Sequence, residues 1–201
     1  MRHFLTEGLT SLALSNCTCL GLNLLAFATF TALTELTLFR IQYLGAICET
    51  GIMIDPSILQ ILLLHTVIFV GCDLHTLPLL MLPSLEFMRI SECVHLAKLP
   101  ALHSHALPKL AILQLHNLLQ VMQLPATLGE LTALRGLYID KCALRSIPMS
   151  IQALTGLREL VIAGDSSTRA SHLIPEIAFC VPDLRGLRKL CLPGLLDFDQ
   201  K

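Results

Sequence analysis

Charge is what this sequence has least of. Only 14% of its 201 residues are Asp, Glu, Lys or Arg, and they sum to a net charge of −1. A protein that grips nucleic acid needs a basic surplus to meet the phosphates, so that class is set aside. The glycine-rich loop G-x-x-x-x-G-K-[ST] is missing, and with it a ready cradle for nucleotide phosphates. Neither H-E-x-x-H nor G-x-S-x-G occurs, so the common hydrolase signatures are absent. Also missing is an apolar run long enough to cross a bilayer. Leu59 to Val70 reaches about half the required length and is broken by His65 and Thr66. Cys19 to Leu33 is short as well and carries Asn23, Thr29 and Thr31. Met1-Arg2-His3 leads into an apolar stretch interrupted at once by Thr6 and Glu7, which is not the pattern of a secretory leader. These absences predict a chain without a membrane span and without nucleic acid, and they offer no catalytic signature.

What the chain does have is apolar residues, 54% of the total, in a strict pattern. Leu134, Leu137, Ile139 and Cys142 follow the spacing L-x-x-L-x-L-x-x-C, and Leu157, Leu160, Ile162 and Asp165 repeat it 23 residues later. Each copy is approached in the same way, through Leu124-Pro125, Leu128 and Leu131, or through Ile147-Pro148, Ile151 and Leu154. Starts at 9, 33, 64, 85, 110, 134, 157 and 187 give intervals of 24, 31, 21, 25, 24, 23 and 30 residues. That is eight repeats with two enlarged arcs, one of them a loop over residues 45 to 57 and the other running from Ser166 to Asp183. A third repeat starting at Leu59 would leave Leu74, Leu77 and Pro78 unexplained, whereas Leu64 gives the later copies' C-x-L-x-x-L-P. A period of this length belongs to the leucine-rich repeat, a short strand, a turn and a returning arc. One such unit cannot bury its own apolar side, so the pattern predicts stacked units over residues 1–201, a single solenoid domain.

Four of the eight cysteines follow the same logic. Cys17, Cys72, Cys93 and Cys142 fall on the ninth position of the repeat, where the chain turns out of the strand. A small, weakly hydrogen-bonding side chain fits beneath such a turn, so these are expected to be reduced and buried, which implies a reducing compartment. Asn16-Cys17-Thr18 has the form of a glycosylation sequon, a short motif that is frequent by chance.

The stretches LPSLEFMRISECVHLAKLP and LPATLGELTALRGLYIDKCALRSIP resemble plant-type intracellular leucine-rich repeats. Such repeats form the sensing half of nucleotide-binding immune receptors and occur in signalling scaffolds. The resemblance covers nearly the whole chain and is strongest from about Leu64 to Asp165. It implies an α/β repeat horseshoe, with a curved parallel sheet on the concave side and turns, 3₁₀ pieces or short helices on the convex side. It also implies a cytoplasmic, non-enzymatic protein–protein interaction module without cofactors, reading a macromolecular partner on the concave face. The alternative is a regulatory or structural segment of a larger immune-receptor-like or signalling protein that contacts its own neighbouring domain. The sequence departs from the family's pattern at the ninth position, which is Cys, Ile, Leu or Asp rather than Asn.

In that architecture the residues between the paired apolar positions face a partner. Aromatic and arginine side chains are the usual anchors of protein interfaces, which makes Phe39, Phe87, Arg89, Gln114, His116, Tyr138 and Asp140 the expected binding patch. Arg135, Arg158 and Arg188 occupy one position in three successive repeats, and a column of like charges about 5 Å apart would welcome an acidic partner. Outward residues that every such sheet must carry, and a solvated rim partly neutralised by Glu159, are the plainer explanations of the two groups. His75 and His95 recur after Cys72 and Cys93, but with the spacing of the repeat rather than of a zinc motif. His103-Ser104-His105 sits in an arc, where histidines are usually solvated. No metal site is expected. Leu9, Leu12 and Leu14 begin a repeat close behind Met1, so an uncapped N-terminal unit and self-association through it are a further expectation.

Overall fold

The computed structural model describes residues 8–16, 32–40, 63–74, 81–164 and 173–192. Within them the L-x-x-L-x-L segments form the strands β1 (Ser11–Ser15), β2 (Glu35–Phe39), β3 (Thr66–Val70), β4 (Phe87–Ser91), β5 (Ile112–His116), β6 (Gly136–Asp140), β7 (Glu159–Ala163) and β8 (Lys189–Cys191). Each begins two residues after its repeat start. They make one sheet in chain order, every neighbour parallel. Parallel neighbours require a crossover between them, and the arcs supply it. The architecture is a repeat solenoid.

Register follows from the pattern. Leu36, Val67, Met88, Leu113, Leu137 and Leu160 stand side by side, as do Leu38, Phe69, Ile90, Leu115, Ile139 and Ile162. All twelve are buried. In a strand successive side chains alternate in direction, so these second and fourth residues point into the stack while the first, third and fifth point outward. Burying a Leu, Ile or Phe contributes about 1.5–3 kcal/mol, and each repeat contributes several. At the N-terminal end Leu12 and Leu14 remain partly exposed, although Leu36 and Leu38 beside them are buried.

The chain leaves each of the strands β1 to β6 through one left-handed residue. Asn16, Arg40, Gly71, Glu92, Asn117 and Lys141 all have φ between 50° and 61°. Each amide donates to the last residue of the following strand, as in Arg40 N to Val70 O at 2.7 Å and Asn117 N to Asp140 O at 2.8 Å. The ladder therefore continues one rung past the strands and turns the chain back towards the core. A non-glycine residue adopts this conformation at a cost of about 1–2 kcal/mol. At Gly71 a Cβ would also lie 3.1 Å from Cγ of Arg40. Gly71→Ala is expected to cost about 1 kcal/mol in urea unfolding, and unchanged stability would contradict this account of the turn.

The arcs are wound with period three. The N–H of Leu131 bonds to Leu128 O and that of Leu134 to Leu131 O, and Leu154, Leu157, Leu184 and Leu187 repeat the arrangement. Three residues per turn bring every third side chain onto one side, which is why the leucines recur at that interval and are nearly all buried. The 3₁₀ turns Ala126–Glu130 and Met149–Ala153 open after Pro125 and Pro148, and stack on each other. After residue 172 the arc carries the helix α1 (Ile174–Cys180), with Pro175 in its first turn where a missing N–H costs nothing. The 3₁₀ turn Val181–Asp183 follows. Glu176 accepts a hydrogen bond from Ile147 N at 2.6 Å, tying α1 to the preceding arc. Cys17, Phe27, Phe30, Ile41, residues 45 to 57, His75, Asp165 and Leu195 lie outside the described residues.

Candidate interaction surface

The outward residues form three columns across the sheet. The central column runs Ala13, Thr37, Ile68, Arg89, Gln114, Tyr138, Val161 and Cys191. On one side of it run Phe39, Val70, Ser91, His116, Asp140 and Ala163, and on the other Glu35, Thr66, Phe87, Ile112, Gly136, Glu159 and Lys189. All seven residues of the expected patch, Phe39, Phe87, Arg89, Gln114, His116, Tyr138 and Asp140, stand on this one face. The face divides in two. From β2 to β5 it carries most of its large apolar side chains, with Phe39, Ile68, Val70, Phe87 and Ile112 half-buried and interspersed with Thr37, Thr66, Gln114 and exposed Arg89. From β6 to β8 it carries Tyr138, Asp140, Glu159 and Lys189 and is the more polar half.

In the polar half, side chains satisfy one another. His116 Nδ1 lies 2.8 Å from Asp140 Oδ2 on the next strand. Tyr138 donates its hydroxyl to Glu159 Oε2 at 3.0 Å, and Lys189 Nζ stands 3.4 Å from the same oxygen. The Tyr138 ring folds back over Gly136, where a Cβ would come within 2.7 Å of Cε2. Partial burial and the Glu159 carboxylate both hold the phenol above its ordinary value, so it is neutral and donating at neutral pH. Exposed pairs of this kind contribute about 0–1 kcal/mol each, so their effect is mainly to fix where the side chains point.

Ser91, His116 and Asp140 lie in register on three adjacent strands, the residue types of a nucleophilic triad. Ser91 is fully buried between the bulkier Val70 and His116, and its hydroxyl donates to Phe69 O at 3.4 Å. A hydroxyl engaged this way is not presented to a substrate. This alignment was readable from equal offsets, since each of the three residues stands six positions after its repeat start, yet the burial of Ser91 has no sequence signal.

The arginine column is present as geometry. Arg158 N donates to Arg135 O and Arg188 N to Arg158 O, so the three residues are neighbours across the sheet. Their side chains differ. All three are exposed, but Arg135 Nη1 donates to the carbonyls of Thr132, Leu134 and Gly156 at 3.1, 3.3 and 3.3 Å and is held against the backbone.

The ninth-position cysteines Cys72, Cys93 and Cys142 are buried free thiols. Cys72 Sγ donates to Leu38 O at 3.3 Å and Cys93 Sγ to Ser91 O at 3.4 Å. Cys142 Sγ lies 3.5 Å from Asp140 O and 3.7 Å from Leu115 O. Each thiol thus reaches a carbonyl at the strand exit, a weak donor placed where the backbone bends away. A side-chain hydrogen bond with Cys72, together with burial, pushes the Cys93 thiol far up, and burial pushes that of Cys142 up to about 11. From the ordinary value of 9.0 to about 11 the unfolded chain loses the Cys142 proton while the folded chain keeps it. Stability is therefore complete below 9 and falls as pH rises through 11, by at most about 1.4 kcal/mol per pH unit for this group. Urea midpoints of wild type and Cys142→Ala across that range should converge as pH rises. Parallel curves would contradict the burial of this thiol.

His95 lies 3.9 Å from Asp73, and His103 lies 3.1 Å from Glu130 with its ring stacked on His105. Among the described residues no group of three or more His, Cys, Asp or Glu side chains is arranged to hold a metal ion. None of the described helices is long and apolar enough to cross a membrane. The chain matches no known protein family and no curated protein.

Proposed function

We propose that the chain is a leucine-rich-repeat protein of the intracellular type, and that it is a non-enzymatic module binding another protein on the outward face of its sheet. The observation that carries this reading is the apolar half of that face. A sheet surface meant only for water would carry polar residues there, yet Phe39, Ile68, Val70, Phe87 and Ile112 adjoin one another on strands β2 to β5. Contiguous apolar area rimmed by polar residues is the usual mark of a protein contact. The pre-oriented Tyr138 and His116 beside it would add directed hydrogen bonds at little entropic cost. Buried free thiols at the strand exits support a reducing compartment such as the cytoplasm.

Affinity capture tests the reading. An Arg89→Ala, Tyr138→Ala double variant should lose its specifically retained protein, with affinity falling roughly thirtyfold or more if either residue is an anchor. Its melting temperature should stay close to that of wild type, because both side chains stand on the solvent face. A Leu119→Ala, Met149→Ala variant, altered at exposed residues outside the sheet, should retain the partner. Equal capture by the double variant, or loss with the control, would overturn the assignment.

A further inference from the structure

Resting on the reading of the outward face as a binding surface, we propose the chemistry of its occupant. It is an extended acidic segment of a protein partner, in which one aspartate or glutamate meets Arg89 and flanking apolar side chains sit on Phe87, Ile68 and Ile112.

Arg89 is the middle residue of β4 and the centre of the apolar half. Phe87 and Ser91 adjoin it along the strand, Ile68 and Gln114 stand across from it, and Thr66, Val70, Ile112 and His116 lie diagonally. None is acidic. Arg89 is exposed and makes no hydrogen bond or ion pair among the described residues. The other charges of the face are spent or distant. Asp140 is held by His116, Glu159 by Tyr138 and Lys189, and Glu35 stands at the start of β2, two strands away.

A partner that covers Phe87, Ile68 and Ile112 must also cover Arg89. Taking a guanidinium out of water without a counter-charge costs several kcal/mol, more than the apolar contact around it would return. The partner must therefore bring an anion to this point. A carboxylate fits the site better than a phosphate. It carries a single charge and accepts two parallel N–H bonds from one guanidinium, whereas a phosphate carries about −1.5 to −2 and calls for further cations. No lysine or arginine adjoins Arg89 on the sheet, and the diagonal His116 is already engaged by Asp140. An extended backbone suits the flanking contacts, because its alternate side chains would fall on the same face as the carboxylate.

Random dodecapeptides displayed on phage and selected on the immobilised full chain test this directly. Selection should enrich sequences with one Asp or Glu between apolar or aromatic residues. Synthetic peptides of the enriched sequence should bind Arg89→Ala roughly thirtyfold or more weakly than wild type, by fluorescence anisotropy. Arg89→Lys should recover part of the loss. Selection repeated on Arg89→Glu should enrich Lys or Arg at the same place. Enriched peptides without an acidic residue, or with binding lost in Ile68→Ser and Phe87→Ala but unaltered in Arg89→Ala, would overturn this proposal and leave the binding face standing. Peptides insensitive to all of these substitutions would overturn both. Failure to enrich any sequence, or enrichment only of phosphorylated forms after kinase treatment of the library, would also overturn the proposed occupant. Melting curves of each variant verify that the solenoid persists.

Discussion

Gly129→Ala is expected to destabilise the chain by about 3 kcal/mol or more, at the upper end of what overpacking costs. Gly129 is buried in the 3₁₀ turn Ala126–Glu130, directly against the next turn, Met149–Ala153. A Cβ built there would overlap Ser150 O and lie 2.8 Å from the Ser150 carbonyl carbon. The obstacle is backbone and cannot swing aside as a side chain could. Relief requires the two arcs to separate, which would open the leucines beneath them. Gly8→Ala is the control, since nothing lies within 4 Å of the position its Cβ would take. Urea unfolding followed by circular dichroism measures both. A loss below about 1 kcal/mol for Gly129→Ala would show that the arcs are not stacked this closely.

Leu137→Ala should cost about 3–5 kcal/mol, by lost burial and by the cavity left behind. Leu137 is 0% exposed and stands in register between Leu113 and Leu160, both buried. In a solenoid each unit is stabilised mainly by its neighbours, so the weakened interface acts on the units either side of it. The unfolding transition is therefore expected to lose steepness as well as midpoint. Leu190→Ala, at the same strand position in β8 but 43% exposed, should cost much less. Equal losses at the two sites would contradict the burial gradient along the stack.

The positions of the strands were legible because the repeat is. Each L-x-x-L-x-L segment announces a strand two residues in, and β3 begins at Thr66, two residues after Leu64. The face on which Phe39, Arg89 and Tyr138 stand follows from parity alone. The 3₁₀ pieces of the arcs were expected only through the family resemblance, although the leucine spacing agrees with them. The left-handed exits were not legible, because Asn, Arg, Glu and Lys share them with Gly71 and so leave no common residue type. Side-chain partnerships were legible only as columns. Equal offsets set Tyr138 near Glu159 and Arg135 beside Arg158, but which hydrogen bond forms depends on the room beside Gly136 and Gly156. The helix α1 is likewise hidden in sequence, since its arc departs from the period that locates the others.

The most direct test is to record where a partner touches the chain. A photoreactive benzophenone residue can be placed at Thr37 or Ile112 on the outward face, or at Leu119 or Met149, which are 50% and 52% exposed outside the sheet. Each variant is irradiated in cell extract and the adducts are separated by mass. Binding through the face predicts a discrete adduct from Thr37 and Ile112, abolished by Arg89→Ala with Tyr138→Ala, and none from Leu119 or Met149. A discrete adduct from Leu119 or Met149 alone would contradict it.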